Sequence, residues 1–262
     1  MNITPAHLQT LCHIAQEAGQ AIMDVYSQSA TSTLAITHKA DQSPLTQADL
    51  RADRIIRDGL TRHFGGVFIW SEESITQGSV HNVDTFFLVD PLDGTKEFIN
   101  RNGEFTVNIA LVQHGEPVAG VVLAPALSLL YYAAQGLGAF RQDANGITPL
   151  HTAPRPAGQP LRVIASRSHG SDALAQWLAA QTQPYTLINA GSSLKFCRLA
   201  EGSADLYPRF GPTSQWDTAA AHAVLQEAGG SVCTLNGTTL RYGLQHPVLN
   251  PHFVATATLA TH

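Results

Sequence analysis

The chain of 262 residues contains only three cysteines, Cys12, Cys197 and Cys233. They are scattered without CxxC spacing, so the sequence supports neither a disulfide framework nor a thiolate zinc site. None of the 12 histidines lies in an HExxH pattern, which argues against a zinc hydrolase. The GxxxxGK[ST] loop of P-loop NTPases and the GxSxG turn of α/β-hydrolases are also missing. We therefore expect free thiols in a reducing compartment and disfavour these enzyme classes.

Long apolar runs and charged residues are scarce as well. The most apolar stretch, residues 118–130, is interrupted by Gly120 and Pro125 and is shorter than the roughly 20 residues that span a bilayer. The N-terminus lacks the basic start and continuous apolar segment of a secretory signal. With 13% charged residues and a formal net charge of -5, the overall field disfavours nucleic acid as a partner. We expect no transmembrane segment and a cytoplasmic location.

Helical periodicity dominates the first quarter of the chain. Thr4 and Pro5 are typical of an N-cap and a first helical position, and apolar residues then recur at helical spacing as far as Val25. A second set with this spacing follows Thr46 and ends at Leu60. The sequence thus predicts two helices in an ordered globular protein, of which 44% is hydrophobic.

Four short apolar runs follow and predict buried strands. They lie at residues 67–70, 86–89, 105–112 and 118–123. The first two stop at acidic residues, as strands that end at a functional site would. The segment 114–117, His-Gly-Glu-Pro, predicts a turn between the last two.

The second part of the chain predicts alternating α/β structure. Its predicted elements are a strand at 161–165 and helices at 172–180 and 218–227. The interval from Thr152 to Pro160 is rich in proline and glycine and is the expected domain join. We therefore divide the chain into an N-terminal α+β domain, residues 1–155, and a C-terminal α/β domain, residues 156–262.

Two carboxylates three residues apart, Asp90 and Asp93, directly follow the apolar run at 86–89. Pro91 restricts the backbone between them, and Gly94 lets the chain approach a ligand closely. Hard divalent cations bind such oxygen ligands. The alternative is a strand-to-helix turn in which Asp93 only caps the next helix. The spacing alone leaves both interpretations open.

Further acidic side chains lie at the ends of other predicted elements. Glu72 and Glu73 follow the first predicted strand, and Asp217 immediately precedes the helix at 218–227. If these ends converge, their repulsion with the two aspartates above would raise some pKa values unless cations neutralised the charge. Considered singly, a solvated loop for the glutamates and an N-cap for Asp217 are the better explanations.

The strings WSEES, DPLDGTKEF and WDTAAAHAV, in this order, resemble the two signatures of the inositol-monophosphatase superfamily. The longer stretches DPLDGTKEFINRNGEFTVNIALV, GSSLKFC and LYPRFGPTSQWDTAAAHAV resemble the CysQ-type bisphosphate nucleotidases most closely, and the likeness covers nearly the whole chain. Lys96-Glu97-Phe98 stands where inositol phosphatases typically carry TNF. The resemblance implies an α+β or α/β chain folded as the layered α/β/α/β/α sandwich of the sugar phosphatases.

The resemblance also implies a magnesium centre with two or three ions. Glu72, Asp90 and the carbonyl oxygen of Leu92 would bind one Mg²⁺. Asp90, Asp93 and Asp217 would bind a second, so that Asp90 bridges the two. Apart from Asp90, these residues would contact the substrate as well.

The scissile phosphate would lie at the backbone N–H groups of Gly94 and Thr95, where a helix start favours an anion. Glu72 would help to place the attacking water, and Asp49 together with Thr95 would orient and deprotonate it. The spacing of Asp49 from Thr46 also matches a capping box, which is the better interpretation without the resemblance.

The remainder of a nucleotide substrate needs donors from the second half of the chain. By resemblance these are Ser166, His169, Gly191 and Lys195. It is an equally good explanation that His169 is a loop residue, Gly191 a turn residue and Lys195 a surface residue. Arg209 could pair with a phosphate through its planar guanidinium or anchor a loop, and it is left outside the predicted site.

The implied reaction is Mg²⁺-dependent hydrolysis of the 3'-phosphate of adenosine 3',5'-bisphosphate to AMP and phosphate, by in-line attack of water and without a phosphoenzyme. The sulfated analogue is a further expected substrate, and lithium an expected inhibitor. One alternative is an inositol monophosphatase or another sugar-phosphate phosphatase. Another is a nucleotide-sensing module that binds without hydrolysis. A peripheral position on the cytoplasmic face of the inner membrane is the alternative location, and no oligomeric state is predicted.

Overall fold

The computed structural model describes residues 1–28, 36–38, 44–74, 83–167 and 172–258. Within these ranges the helices are α1 (Pro5–Gln28), α2 (Gln47–His63), α3 (Thr95–Ile99), α4 (Asp172–Ala179), α5 (Leu194–Ala200) and α6 (Ala219–Glu227). Short 3-10 helices cover Glu72–Ser74 and Pro125–Leu127.

A mainly antiparallel sheet of seven strands forms the centre of the first part of the chain. Its strands in spatial order are β3 (Phe68–Ser71), β4 (Thr85–Asp93), β5 (Thr106–Gln113), β6 (Glu116–Ala124), β7 (Leu129–Ala134), β8 (Gly138–Asp143) and β9 (Gly146–Leu150). Only the pair β3 and β4 is parallel, so both strands deliver their carboxyl ends to the same edge. A separate antiparallel ribbon joins β1 (Ile36–His38) to β2 (Pro44–Thr46).

A second sheet of five strands follows. Its strands in spatial order are β11 (Tyr185–Ala190), β10 (Leu161–Ser166), β12 (Leu206–Arg209), β14 (Phe253–Thr256) and β13 (Ser231–Thr234). Strand β10 is parallel to both of its neighbours, whereas β14 is antiparallel to β12 and β13.

Alternating side chains of β4 show how the layers are stacked. Phe87 and Val89 join α1 and α2 in one apolar cluster, while Phe86 and Leu88 face a second cluster built with α5, α6 and the inner face of the five-stranded sheet. Helix α4 covers the outer face of that sheet through a third cluster. Because each sheet buries both faces, the layers run helix, sheet, helix, sheet, helix. The predicted α/β/α/β/α sandwich is confirmed.

The two N-terminal helices form as predicted because their apolar residues line one face. Thr4 and Thr46 accept hydrogen bonds from backbone N–H groups of the first turn of α1 and α2. Leu50 departs from the pattern, since it is 52% exposed and does not belong to the buried face of α2. The predicted turn at 114–117 is tighter than expected, because Glu116 already belongs to β6.

The predicted end of β4 at Val89 is wrong. The strand continues through Asp90 to Asp93, and its pairing with β5 shifts register between these two residues. Such an irregularity accommodates Pro91, which lacks the N–H that a regular ladder requires.

The chain passes from the first sheet to the second between Leu150 and Leu161. The two sheets nevertheless contribute to one apolar cluster, and the division into domains at residues 155 and 156 stays a prediction. Among the described residues, none of the helices combines the length and the apolar character needed to cross a membrane.

Candidate active site

The parallel pair β3 and β4 brings the first acidic residues together. Ser71, the last residue of β3, is fully buried and its hydroxyl donates to Asp53 on α2. This bond fixes the end of β3 where the chain turns into the 3-10 helix that begins at Glu72. Glu72 and Asp90 thereby line the same cavity.

The irregular end of β4 determines where its two aspartates point. Asp90 is 1% exposed, and its Oδ1 accepts a hydrogen bond from the N–H of Leu92 at 3.0 Å. After the register shift, Asp93 pairs with Thr106 of β5 and sends its carboxylate into the cavity. Both aspartates of one strand therefore reach one site, although they lie an odd number of residues apart.

Donors from both halves of the chain surround the Asp93 carboxylate. Its Oδ2 lies 3.0 Å from Ser193 Oγ, 3.3 Å from Asn108 Nδ2 and 3.4 Å from Thr106 Oγ1. The Ser193 hydroxyl also lies 2.6 Å from the backbone carbonyl of Asp217. Ser193 thus links the loop of Asp93 to the segment that carries Asp217.

The turn before α6 positions Asp217. Its Oδ2 accepts hydrogen bonds from Thr213 Oγ1 at 2.7 Å and from the N–H of Ser214 at 2.8 Å. Asn250 braces the same turn by donating to the carbonyl of Ser214 and the hydroxyl of Thr218. Asp217 therefore faces the cavity opposite the strands that carry Asp90 and Asp93.

The cavity has a volume of about 560 Å³ and contains side chains of both charges. Its acidic lining residues are Glu72, Asp90, Asp93, Glu97 and Asp217, and its basic lining residues are Lys96, Lys195 and Arg209. Leu92, Gly94, Thr95 and Ser166 line it as well. Acidic groups from distant parts of the sequence therefore converge, as expected.

Burial and mutual repulsion strongly perturb two of these acids. Loss of solvent contact, followed by the charge of Asp217, raises the pKa of Asp93 from 3.8 to about 6. Loss of solvent contact, followed by the charge of Glu72, raises the pKa of Asp217 to about 6. Burial lowers the pKa of Lys195 to about 8 against the attraction of Asp93. The charge of Lys195 lowers the pKa of Asp93 but does not return it to its ordinary value, and acids whose pKa stays raised in one cavity favour cation binding.

The donor chemistry of the cluster fits Mg²⁺, because carboxylate and carbonyl oxygens facing one cavity are the ligands that this ion prefers. Within the described residues, no three Asp, Glu, His or Cys side chains are already gathered in an arrangement that could hold a cation. Asp93 and Asp217 instead accept hydrogen bonds from protein groups. Binding a cation would therefore exchange some of these hydrogen bonds for coordination.

Gly94 adopts a left-handed backbone with φ of 88° immediately before α3. A β-carbon at this position would collide with the hydroxyl of Ser192, so glycine is required for both reasons. The start of α3 therefore approaches the cavity with bare backbone, which is the arrangement expected of an anion cradle at Gly94 and Thr95.

Asp49 combines the two interpretations that the sequence offered. Its Oδ2 accepts from the N–H of Thr46 at 2.8 Å and lies 2.6 Å from Thr46 Oγ1, as in a capping box. Its Oδ1 lies 3.3 Å from Thr95 Oγ1. One carboxylate thus caps α2 and contacts Thr95, while remaining 1% exposed.

Residues of the second half form the other wall of the cavity. Lys195 is 5% exposed, and its Nζ donates to the carbonyl of Ser192 at 2.5 Å. Gly191 is not among the lining residues, because its N–H donates to Glu104 at 2.8 Å. His169 lies outside the described residues.

The sequence of residues 6–262 matches the model of the inositol monophosphatase family. The chain belongs to this family. It is 46% identical over 250 residues to the 3'(2'),5'-bisphosphate nucleotidase CysQ of Salmonella typhimurium, covering 95% of this chain and 99% of the relative. It is also 46% identical to the nucleotidase of that name from Escherichia coli K12, covering 94% and 98%.

Solved structures of the inositol monophosphatase family have the same fold. The crystal structure of CysQ from Bacteroides thetaiotaomicron matches with a TM-score of 0.85 and 36% identity over 96% of this chain and 97% of that one. An inositol monophosphatase from Thermotoga maritima matches with a TM-score of 0.80 and 22% identity over 97% and 93%, which supports the fold alone. The resemblance inferred from the signatures is therefore confirmed.

Several site residues of this family member were not among the predicted ones. Arg209 lines the cavity, and its buried Nε has no hydrogen-bond partner among the described residues. Thr213 orients Asp217, while Asn108 and Ser193 orient Asp93. Thr213 and Ser193 lie within quoted signatures, so proximity to predicted ligands was the available signal. Asn108 also lies within a quoted stretch, but it is 15 residues from Asp93, and its contact depends on the pairing of β5 with β4.

Proposed function

We infer that this chain is a 3'(2'),5'-bisphosphate nucleotidase that hydrolyses the 3'-phosphate of adenosine 3',5'-bisphosphate to AMP and inorganic phosphate. Near-full-length identity of 46% with CysQ nucleotidases supports this substrate class. The observation that carries the chemistry is the cavity itself, which combines five acidic side chains, the bare backbone at Gly94 and three basic side chains, among them Lys195 and Arg209 from the second half of the chain. One wall suits a cation and a phosphate, and the other suits the remaining anionic part of a nucleotide.

Members of this family are Mg²⁺-dependent in general, and we propose two or three ions in this site. Glu72, Asp90 and the carbonyl of Leu92 would hold one, and Asp90, Asp93 and Asp217 would hold another. Mg²⁺ bound there supplies Lewis-acid polarisation of the phosphate, stabilises the leaving oxygen and lowers the pKa of water. The raised pKa values of Asp93 and Asp217 support this assignment, because a bound cation would stabilise the ionised carboxylates against the burial, and second the repulsion, that raise them.

The protein groups around the phosphate have separate tasks. The N–H groups of Gly94 and Thr95 receive the scissile phosphate, and Glu72 helps to place the water. Thr95 Oγ accepts a hydrogen bond from this water, while its own hydroxyl hydrogen points toward Asp49 Oδ1, 3.3 Å from the Thr95 oxygen. The water oxygen then bonds to phosphorus as its proton passes to Thr95 Oγ and the Thr95 hydrogen passes to Asp49. The bond from phosphorus to the 3'-oxygen breaks, and this oxygen takes up a proton from solvent water.

The remainder of the nucleotide contacts the wall built by the second half of the chain. Lys195 and Ser166 line this wall, and we retain both as substrate contacts together with His169 and Gly191. We add Arg209, because its buried Nε has no hydrogen-bond partner among the residues that the structure describes and could donate to an anionic group. The sulfated analogue of the substrate presents the same 3'-phosphate and is accepted as well.

A phosphate-release panel tests this function. Adenosine 3',5'-bisphosphate and inositol monophosphate are supplied separately, each with Mg²⁺ and with EDTA. We expect rapid Mg²⁺-dependent release from the bisphosphate, little from the inositol ester, and inhibition by millimolar lithium. A preference for inositol monophosphate would establish the sugar-phosphate alternative. Tight nucleotide binding without phosphate release would establish the sensing module.

A further inference from the structure

Glu104, which is not a lining residue of the cavity, connects the first half of the chain to the wall built by the second half. It lies between α3 and β5, and its carboxylate forms a two-point ion pair with Arg167, which directly follows β10. The two distances are 2.8 Å from Arg167 Nε to Oε2 and 2.9 Å from Arg167 Nη2 to Oε1. Oε2 also accepts the N–H of Gly191 at 2.8 Å. One carboxylate of the first half therefore holds two segments of the second.

The backbone of Glu104 adds a further contact to the same loop. Its carbonyl oxygen accepts a hydrogen bond from Ser192 Oγ at 2.6 Å, and this hydroxyl also lies 2.9 Å from the carbonyl of Asp93. Ser192 adopts a left-handed backbone with φ of 48°, a conformation that non-glycine residues rarely adopt. A β-carbon at Gly191 would lie only 2.7 Å from the Glu104 carbonyl. The loop is thus pressed against Glu104.

The carboxylate of Glu104 is stabilised in its charged form by its hydrogen-bond partners. Partial burial alone raises its pKa, but the hydrogen bonds from Arg167 and Gly191 outweigh burial and lower the pKa below its ordinary value. Its side chain is 21% exposed, so solvent screens the ion pair only in part. Glu104 is therefore ionised and paired wherever the enzyme is folded at neutral pH.

The loop held by Glu104 carries groups that face the substrate and Asp93. Ser193 donates toward the Asp93 carboxylate at 3.0 Å, and Lys195 donates back to the Ser192 carbonyl at 2.5 Å. A displacement of this loop would move Lys195 relative to the phosphate cradle at Gly94. Displacements of about 1 Å in positioned groups can cost about 100-fold in rate.

We propose that Glu104 is a positioning residue for nucleotide recognition, which holds the loop 191–195 against Asp93 and sets the spacing between the phosphate cradle and the nucleotide wall. This role rests on the proposed nucleotidase function. Glu104 itself touches neither the cavity nor the reacting atoms, and it acts through Gly191, Ser192 and Lys195.

The test compares Glu104→Ala with a matched control, Glu116→Ala. Glu116 forms an ion pair of 2.7 Å with Arg241, which likewise joins the two halves and is similarly exposed on its arginine side, but lies away from the cavity. For the bisphosphate we expect Glu104→Ala to raise KM by about 10- to 100-fold with a smaller change in kcat. We expect Glu116→Ala to leave both constants near wild type.

Two further variants distinguish a positioning role of Glu104 from a role in folding. Glu104→Gln keeps an acceptor for the N–H of Gly191 and should recover part of the lost KM. Arg167→Ala breaks the ion pair from its 46% exposed partner and should reproduce part of the defect, without additivity when combined with Glu104→Ala. Thermal unfolding of every variant is followed in parallel. If Glu104→Ala fails to fold, these two variants decide the question through the same KM measurement.

AMP binding by titration calorimetry provides a readout that does not require turnover. We expect Glu104→Ala to weaken AMP binding by at least about tenfold and Glu116→Ala to leave it unchanged. Equal KM and AMP affinity in Glu104→Ala and wild type would overturn the positioning role even if the enzyme is an active nucleotidase. Absence of bisphosphate hydrolysis by the wild type would instead refute the proposed function, while the AMP titration would still decide whether Glu104 positions the loop.

Discussion

Two partly buried aspartates, Asp205 and Asp93, behave in opposite ways. Asp205 accepts three hydrogen bonds from Arg162, from its backbone N–H at 2.7 Å, Nε at 3.1 Å and Nη2 at 2.6 Å. Burial alone raises the pKa of Asp205, but Arg162 outweighs burial and lowers it. At Asp93, burial and the neighbouring Asp217 raise the pKa to about 6.

The two aspartates differ in whether the protein itself places a matching positive charge beside them. At Asp205 the fold provides a guanidinium of matching geometry, so the acid serves stability. At Asp93 the fold provides neutral donors, a second acid and a lysine whose pKa burial lowers to about 8. Bringing acidic charges together without a matching positive group lowers the stability of the folded chain, and such clusters are typical of binding sites. The same residue type therefore supports structure in one place and ligand binding in the other.

Replacing each aspartate by asparagine should separate these roles most clearly in turnover. We expect Asp93→Asn to lower kcat for the bisphosphate by on the order of 1,000-fold, because it removes a cation ligand and its transition-state stabilisation. We expect Asp205→Asn to leave kcat close to wild type. Phosphate-release assays at saturating Mg²⁺ measure both, and an Asp93→Asn enzyme within a few fold of wild type would refute the ligand assignment.

The arginines extend the comparison. Arg162 forms an ion pair with Asp205, whereas Arg209 lines the cavity and its Nε has no hydrogen-bond partner in the part of the chain that the structure describes. Loss of a charge-assisted hydrogen bond to the substrate should raise KM by about 10- to 100-fold in Arg209→Ala. Arg241→Ala, which removes an exposed ion pair, is the control and should keep its KM. An unchanged KM in Arg209→Ala would show that Arg209 only braces its loop.

Mg²⁺ should distinguish the two acids through thermal stability. Since a ligand that binds only the folded state stabilises it, millimolar Mg²⁺ should raise the melting temperature of the wild type and of Asp205→Asn by several degrees. It should raise that of Asp93→Asn much less. Differential scanning fluorimetry with and without EDTA measures this, and an equal Mg²⁺ response in all three proteins would contradict the site.

The smallest expected effect is on stability without Mg²⁺, and its sign differs between the two acids. Because the pKa of Asp93 is raised from 3.8 to about 6, its favourable contribution exists below pH 3.8 and is lost as the pH rises through 6. Asp205 has a lowered pKa, so its contribution is present at neutral pH and is lost on acidification.

In EDTA at pH 7.5, Asp93→Asn should therefore melt a few degrees above wild type and Asp205→Asn a few degrees below it. The advantage of Asp93→Asn should shrink as the pH falls below 6. Melting curves across pH 4 to 8 check both signs, and destabilisation by Asp93→Asn throughout this range would show that its hydrogen bonds outweigh the repulsion.

Local patterns were sufficient for much of the fold. Helices α1 and α2 begin at residues that the capping signals indicated, because a cap depends on side chains within one turn. The continuation of β4 to Asp93 was not predictable, since it depends on a register shift against β5. The contact of Asp49 with Thr95 spans 46 residues and was expected only through the family resemblance, whereas its capping role could be read from neighbouring residues.

By itself, the sequence determined the family through its signatures, the layered architecture that the family implies, and four of the five acidic residues that line the cavity, because signatures are properties of neighbouring residues. Only the tertiary structure decided which acids are paired with arginines, that the Nε of Arg209 lacks a partner among the described residues, and that Glu104 contacts the loop of Gly191. The physical reason is that charge compensation depends on distances between residues far apart in the chain, and burial makes those distances decisive.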